Sequence, residues 1–117
     1  MTIETLDKSN WQKYLDSVSE TIAGKRVEID VTGLRLGDQV QAQQLSLIGL
    51  SYDPKDDFIE IMADGLDHRI HSPETIHVDY EIDGLHSIEV IDASELHQII
   101  KFAQPMALPE PVKIKPA

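Results

Sequence analysis

The chain contains no cysteine, which excludes thiol nucleophiles, thiolate zinc sites, iron–sulfur clusters and any disulfide framework. Basic residues are scarce as well. Ten lysines and arginines stand against 21 acids, a formal net charge of −11, and such a chain repels phosphate backbones and anionic membranes. The only tight basic pairs, Lys25-Arg26 and Lys113 with Lys115, lack interleaved aromatics, so no nucleic-acid surface is predicted. The six glycines are scattered and none opens a helix, as a nucleotide-binding loop requires. Long hydrophobic runs are missing too. The longest, residues 45–50, is broken by Ser46 and Gly49 and falls far short of a membrane span. Residues 1–10 carry Glu4, Asp7 and Lys8 with no apolar stretch behind a basic start, so no secretory signal is read there and a cytoplasmic location is expected.

What is present fits one small acidic domain. A chain of 117 residues buries roughly two-thirds of the surface its unfolded form exposes, enough for a single core without metal or disulfide support. Trp11, Tyr14, Leu15, Val18 and Ile22 form one apolar stripe at a 3.6-residue period, predicting a helix over about residues 10–23. Ser9 and Gln12 match a capping box, and Gly24 supplies the stop. The period then becomes two. Val27, Ile29 and Val31 alternate with charged residues as a half-buried strand, and residues 44–52 read as a strand buried on both faces because Leu45, Leu47, Ile48 and Leu50 occupy both parities.

Asp53-Pro54-Lys55-Asp56 predicts a turn, and Asp64-Gly65 and Asp83-Gly84 each predict a tight hairpin. Strands follow over residues 58–63, 66–71, 76–82 and 85–91. Residues 96–102 suit a helix or a strand, and the strand is preferred because it supplies a further antiparallel partner and leaves fewer open edges. Residues 105–117 hold four of the six prolines and read as an extended tail. The expected organisation is a domain over residues 1–104 followed by a proline-rich tail over 105–117.

Four histidines, His68, His71, His77 and His86, crowd into the hairpin region. Of these, His68, His71 and His77 are weak candidates for a metal or small-ligand site. A spacing of three places His68 and His71 on opposite faces of a strand, which argues against a shared ion. His68 shares parity with Leu66 and Ile70 and should face the core or a groove, whereas His77 shares parity with Asp79 and Glu81 and should face water. Asp53, Asp56 and Asp57 lack the spacing of a calcium loop. Gly49-Leu50-Ser51 begins like a nucleophile elbow, but Asp53 replaces the second glycine and no helix follows. Neither a catalytic residue nor a cofactor is therefore predicted.

A capped helix followed by short, curved strands is similar in layout to the SH3-like small barrels, especially the Sm-like variant with its amino-terminal helix. The fold class expected is α+β, mainly β: an N-terminal helix packed on a curved antiparallel sheet. Ile48-Gly49-Leu50-Ser51-Tyr52-Asp53-Pro54-Lys55-Asp56-Asp57, with His68-Arg69-Ile70 and Pro73-Glu74-Thr75-Ile76, resembles a small bacterial family known only as a domain of unknown function. That resemblance, over about residues 11–109, implies a single bacterial domain ending in a strand, and it brings no activity or site residues. The function expected is a non-catalytic protein-interaction or self-assembly module, a homodimer or the partner of another protein. Met106, Leu108, Val112 and Ile114 are its candidate contact residues. The alternative is a small-ligand or metal-binding domain using His68, His71 and His77.

Overall fold

The structure, a computed structural model, describes residues 2–21, 25–33 and 37–106, and among them it has eight strands and one α-helix, one strand more than these patterns predict. A short strand β1 (Thr2–Thr5) leads through a 3-10 turn, Lys8–Asn10, into α1 (Trp11–Thr21). The strands β2 (Arg26–Gly33), β3 (Gly37–Asp53), β4 (Phe58–Ala63), β5 (Leu66–His71), β6 (Pro73–Glu81), β7 (Gly84–Asp92) and β8 (His97–Met106) follow. They form one antiparallel sheet in the order β1-β6-β7-β8-β2-β3-β4-β5.

The helix buries the expected stripe, Trp11, Tyr14, Leu15 and Val18. Its start differs from the capping box. Asp7, two residues upstream of Ser9, accepts from the Ser9 backbone N–H at 3.1 Å and from the Ser9 hydroxyl at 3.0 Å, so the carboxylate caps a 3-10 turn and Ser9 becomes a donor. Ile22 and Gly24 lie outside the described residues. Trp11 stands edge-on to Tyr52 of β3 at 5.2 Å and donates to the Leu6 carbonyl at 3.3 Å. Tyr14 shares a hydrogen bond with Tyr80 of β6, and burial together with that contact holds its phenol well above the ordinary tyrosine range. Three strands separate β3 from β6 in the ladder, so a helix that touches both spans a curled sheet.

Chain connectivity demands the same curl. Ser72 alone joins β5, at one end of the strand order, to β6, next to the other end. It takes a left-handed backbone, φ 52°, and turns the chain from one face of the curl to the other. Asp57 and Ala93 meet this corner through backbone hydrogen bonds of 3.0 and 2.9 Å. The sheet nevertheless stays open: among the described residues β1 and β5 do not pair.

Two strands depart from simple alternation. A bulge between Leu47 and Gly49 in the β3–β4 ladder resets parity, so Leu47 and Leu50 are buried while Ile48 is 60% exposed. Residues 44–52 are thus not buried on both faces. Beyond Ser46, β3 outruns β2, and Ser19 of α1 serves the backbone left open there. Its hydroxyl accepts from the Leu50 N–H at 2.7 Å and donates to the Leu50 carbonyl. In β8, the ladder to β7 slips between Leu85↔Met106 and Ser87↔Lys101, and an irregularity of that kind tolerates Pro105 without a lost ladder bond. The strand therefore runs two residues into the segment read as a tail, and Met106, 1% exposed, belongs to the core. Leu108, Val112 and Ile114 lie outside the described residues.

Candidate functional site

The edge formed by β1 has a backbone whose bonding can be assigned residue by residue. The Leu6 N–H donates to the Ile76 carbonyl at 2.9 Å, extending a register in which Thr2 faces Tyr80 and Glu4 faces Val78. Hydrogen-bonded pairs alternate along an antiparallel ladder. Thr2, Glu4 and Leu6 therefore turn their backbones to β6, and Ile3 and Thr5 turn theirs outward. No strand among the described residues pairs with that side.

Beside this edge, on the outer face of the sheet, lies a groove of about 150 Å³ lined by Ile3, His77, Asp79, Ser87, Glu89 and Ile99. Ile3 is 61% exposed. His77 Nδ1 lies 2.9 Å from the Thr5 hydroxyl. Glu89 contacts His97 Nδ1 at 3.0 Å. Asp79, directly across the ladder from Ile3, keeps one carboxylate oxygen, Oδ1, buried without any hydrogen-bond partner. A buried acceptor left unpaired is costly, and a donor that reached it would recover that cost.

The same face carries further charge. Asp30 of β2 is buried, with Oδ2 at 2.7 Å from Lys101 Nζ and Oδ1 unpaired; Lys101 also approaches Glu28 at 3.8 Å. At the end of the β6–β7 hairpin, His86 Nε2 lies 2.7 Å from Asp83. That hydrogen bond raises His86 above the ordinary histidine value, with Glu81 and Asp79 adding to it, and lowers Asp83 below the ordinary aspartate value.

At the opposite edge, β5 is tied down. The Gln98 amide donates from Nε2 to Asp92 Oδ2 at 3.1 Å, which leaves its Oε1 to accept from His68 Nε2 at 2.6 Å. Asp92 Oδ1 in turn accepts from the backbone N–H groups of Ser94 and Leu96. Gln98 and Asp92 are both buried. The outward side of β5 is charged: Arg69 lies 4.8 Å over the Phe58 ring and 3.5 Å from Glu60, whose pKa is raised by a hydrogen bond to Asp67.

The three histidines read as weak metal candidates thus have three separate surroundings. His68 faces inward to Gln98, His71 is exposed with its ring 6.0 Å from Phe58, and His77 sits with Thr5 on the outer face. Among the described residues, no three histidine or carboxylate side chains converge as an ion requires. Ser51 lies mid-strand opposite Glu60 and not on a strand-to-helix turn. Asp53 caps its own turn through the N–H groups of Lys55 and Asp56. Nearby, burial and then a hydrogen bond to Asp57 push Tyr52 up to about 12. A second hollow, about 290 Å³, opens where Lys25 and Arg26 meet Ala103 and Gln104.

Sequence reasoning found His77 but missed β1, and with it the partnerless oxygen of Asp79. The signal was Thr2, Ile3 and Thr5, three β-branched residues in the four of Thr2-Ile3-Glu4-Thr5, too short to stand out beside a helix.

Residues 2–111 match the family of unknown function DUF5335. The chain belongs to that family. An uncharacterized protein of Aquifex aeolicus (strain VF5) is 36% identical over 111 residues, covering 94% of this chain and 100% of that protein. The matched residues span both sheet edges, β1 and β5. No solved structure matches.

Proposed function

We propose that the chain is a non-catalytic protein-interaction module that self-assembles by accepting an extended strand at the open edge of β1. The observation that carries this reading is the outward-turned N–H and C=O of Ile3 and Thr5 beside an exposed Ile3 side chain. An edge of that kind is a template for strand addition. β5 offers less, because its outward face carries Asp67, Arg69 and the ring of His71. The similarity to SH3-like and Sm-like barrels enters here as a curled sheet with edges available for pairing. A net charge of −11 directs the module towards proteins and away from nucleic acid and anionic membranes. A cytoplasmic location belongs to the same reading; no described helix is long and apolar enough to cross a membrane.

Light scattering after gel filtration, with amide hydrogen exchange followed by NMR, tests the proposal. A dimeric mass at high micromolar concentration is expected, with the Ile3 and Thr5 amides protected in the dimer. Ile3→Pro removes an outward N–H without touching the β1–β6 ladder and should abolish the dimeric mass and the protection of the Thr5 amide in a folded chain. A monomer at every concentration, with both amides exchanging as free groups, would overturn the reading.

A further inference from the structure

The groove and the edge together say what chemistry an added strand should carry. A strand laid against β1 pairs its backbone with Ile3 and Thr5. Its side chains on the outer face lie two strand spacings, about 9.5 Å, from Asp79, a gap that a long cationic side chain closes against a carboxylate. The inner face at the same edge carries Glu4 of β1 and the buried Leu6, with Val78 and Tyr80 of β6 buried behind them. The fitting strand therefore carries lysine or arginine on its outer face, opposite Asp79, and uncharged residues on the inner face beside Leu6.

The chain contains such a segment. Residues 112–115 read Val-Lys-Ile-Lys, four residues for a four-residue edge. A period of two places Lys113 and Lys115 on one face and Val112 and Ile114 on the other. Charge points the same way: residues 107–117 hold two lysines and one glutamate, +1, so the other 106 residues carry −12 of the total −11. The charge of this stretch complements the Asp79 face.

Chain length decides between the molecule's own tail and a neighbour's. Met106 lies opposite Leu85 of β7, Leu85 opposite Tyr80 of β6, and Tyr80 opposite Thr2 of β1. A strand outside β1 is thus four spacings from β8, about 19 Å along the sheet. Six residue steps from Met106 to Val112, passing Pro109 and Pro111, cover about 19 Å in polyproline geometry, leaving no slack to round the hairpin at Ile82. A neighbouring copy is under no such constraint.

We propose, resting on the β1-edge reading, that residues 112–115 of a second copy form the strand that fills this edge, with Lys113 or Lys115 donating to Asp79 Oδ1. Reciprocal exchange of two tails then gives a two-fold dimer.

The test compares four full-length or truncated proteins by light scattering and by exchange at the Ile3 and Thr5 amides: the intact chain, a chain ending at Met106, Lys113→Glu/Lys115→Glu, and Asp79→Asn. The intact chain should be dimeric and protected. Truncation should abolish both properties, the charge reversal should do nearly the same, and Asp79→Asn should weaken the dimer about tenfold. A synthetic peptide of residues 107–117 added to the truncated chain should bind one to one and restore protection. If the truncated chain stays dimeric with both amides protected, the tail is not the strand, and the β1-edge reading survives without it. Protection in a strictly monomeric intact chain would assign the edge to the molecule's own tail and overturn the second-copy proposal. Free exchange at Ile3 and Thr5 in every form would remove the edge reading itself.

Discussion

The two edges of this sheet are built differently. β5 is fastened by side chains: His68 reaches across the curl to Gln98, Gln98 to Asp92, and Asp92 to the turn that launches β8. β1 has hydrogen bonds to β6 on one side and, among the described residues, no partner strand on the other. The lesson is that an open sheet can fasten one margin with a polar network while the other is held by backbone bonds on one side alone. Buried polar chains of this kind specify geometry only while every member is satisfied.

The largest expected effect comes from removing the helix that covers the β3 side. Trp11 is 1% exposed and packs edge-on against Tyr52. Trp11→Ala should cost about 3–5 kcal/mol in denaturant unfolding, and exchange in β3 and β4 should quicken more than in β7. Equal acceleration throughout would erase the distinction between the two sides.

Gln98→Ala strikes the latch itself. It leaves Asp92 Oδ2 and the His68 ring without the bonds that Gln98 supplied, so a loss of about 1–3 kcal/mol is expected, with amides of β5 opening first. Ile3→Ser, on the bare edge, should change the stability of dilute protein by less than about 0.5 kcal/mol. Similar losses from both substitutions, measured by chemical denaturation below the association range, would show that the margins are not different in kind.

The smallest effect lies at the exposed Asp83–His86 pair. His86 is raised, so its share of stability is complete below the ordinary histidine value and fades as pH rises through the raised one. Asp83 is lowered, so its share is present above the ordinary aspartate value and fades as pH falls through the lowered one. Both act together between about pH 4 and 6.5. An NMR titration should find His86 titrating above its ordinary value in the native protein and returning towards it in Asp83→Asn; an unmoved midpoint would sever the pair.

Much of the sheet was legible because its signals are local. Asp64-Gly65 and Asp83-Gly84 sit in hairpin turns with both glycines at positive φ, and β4 and β5 have the bounds their alternation gave. Residues 96–102 were ambiguous on periodicity alone. The strand forms because Asp92 spends its carboxylate on the turn and on Gln98 instead of capping a helix. What escaped depends on distant partners. β1 is held by residues some 75 positions away, Ile48 is turned outward by a bulge that parity cannot foresee, and Pro105 signals a tail until a slip in the β7–β8 ladder admits it. Of the candidate site, His77 was visible and the edge beside it was not.

The central position of β2 also sets a timetable. It lies between β3 and β8, with Val27 facing Phe102, so during synthesis one side of β2 waits for about 75 more residues. At ribosomal speeds of roughly 5–20 residues per second, that is on the order of 4–15 s. Through this interval the strand's apolar residues, Val27, Ile29 and Val31, are interleaved with Glu28 and Asp30, whose charges discourage a passing chain from pairing there. When β8 at last emerges it brings Lys101, which settles between those two carboxylates. The acids that guard the nascent strand then share the one positive charge that the arriving partner brings.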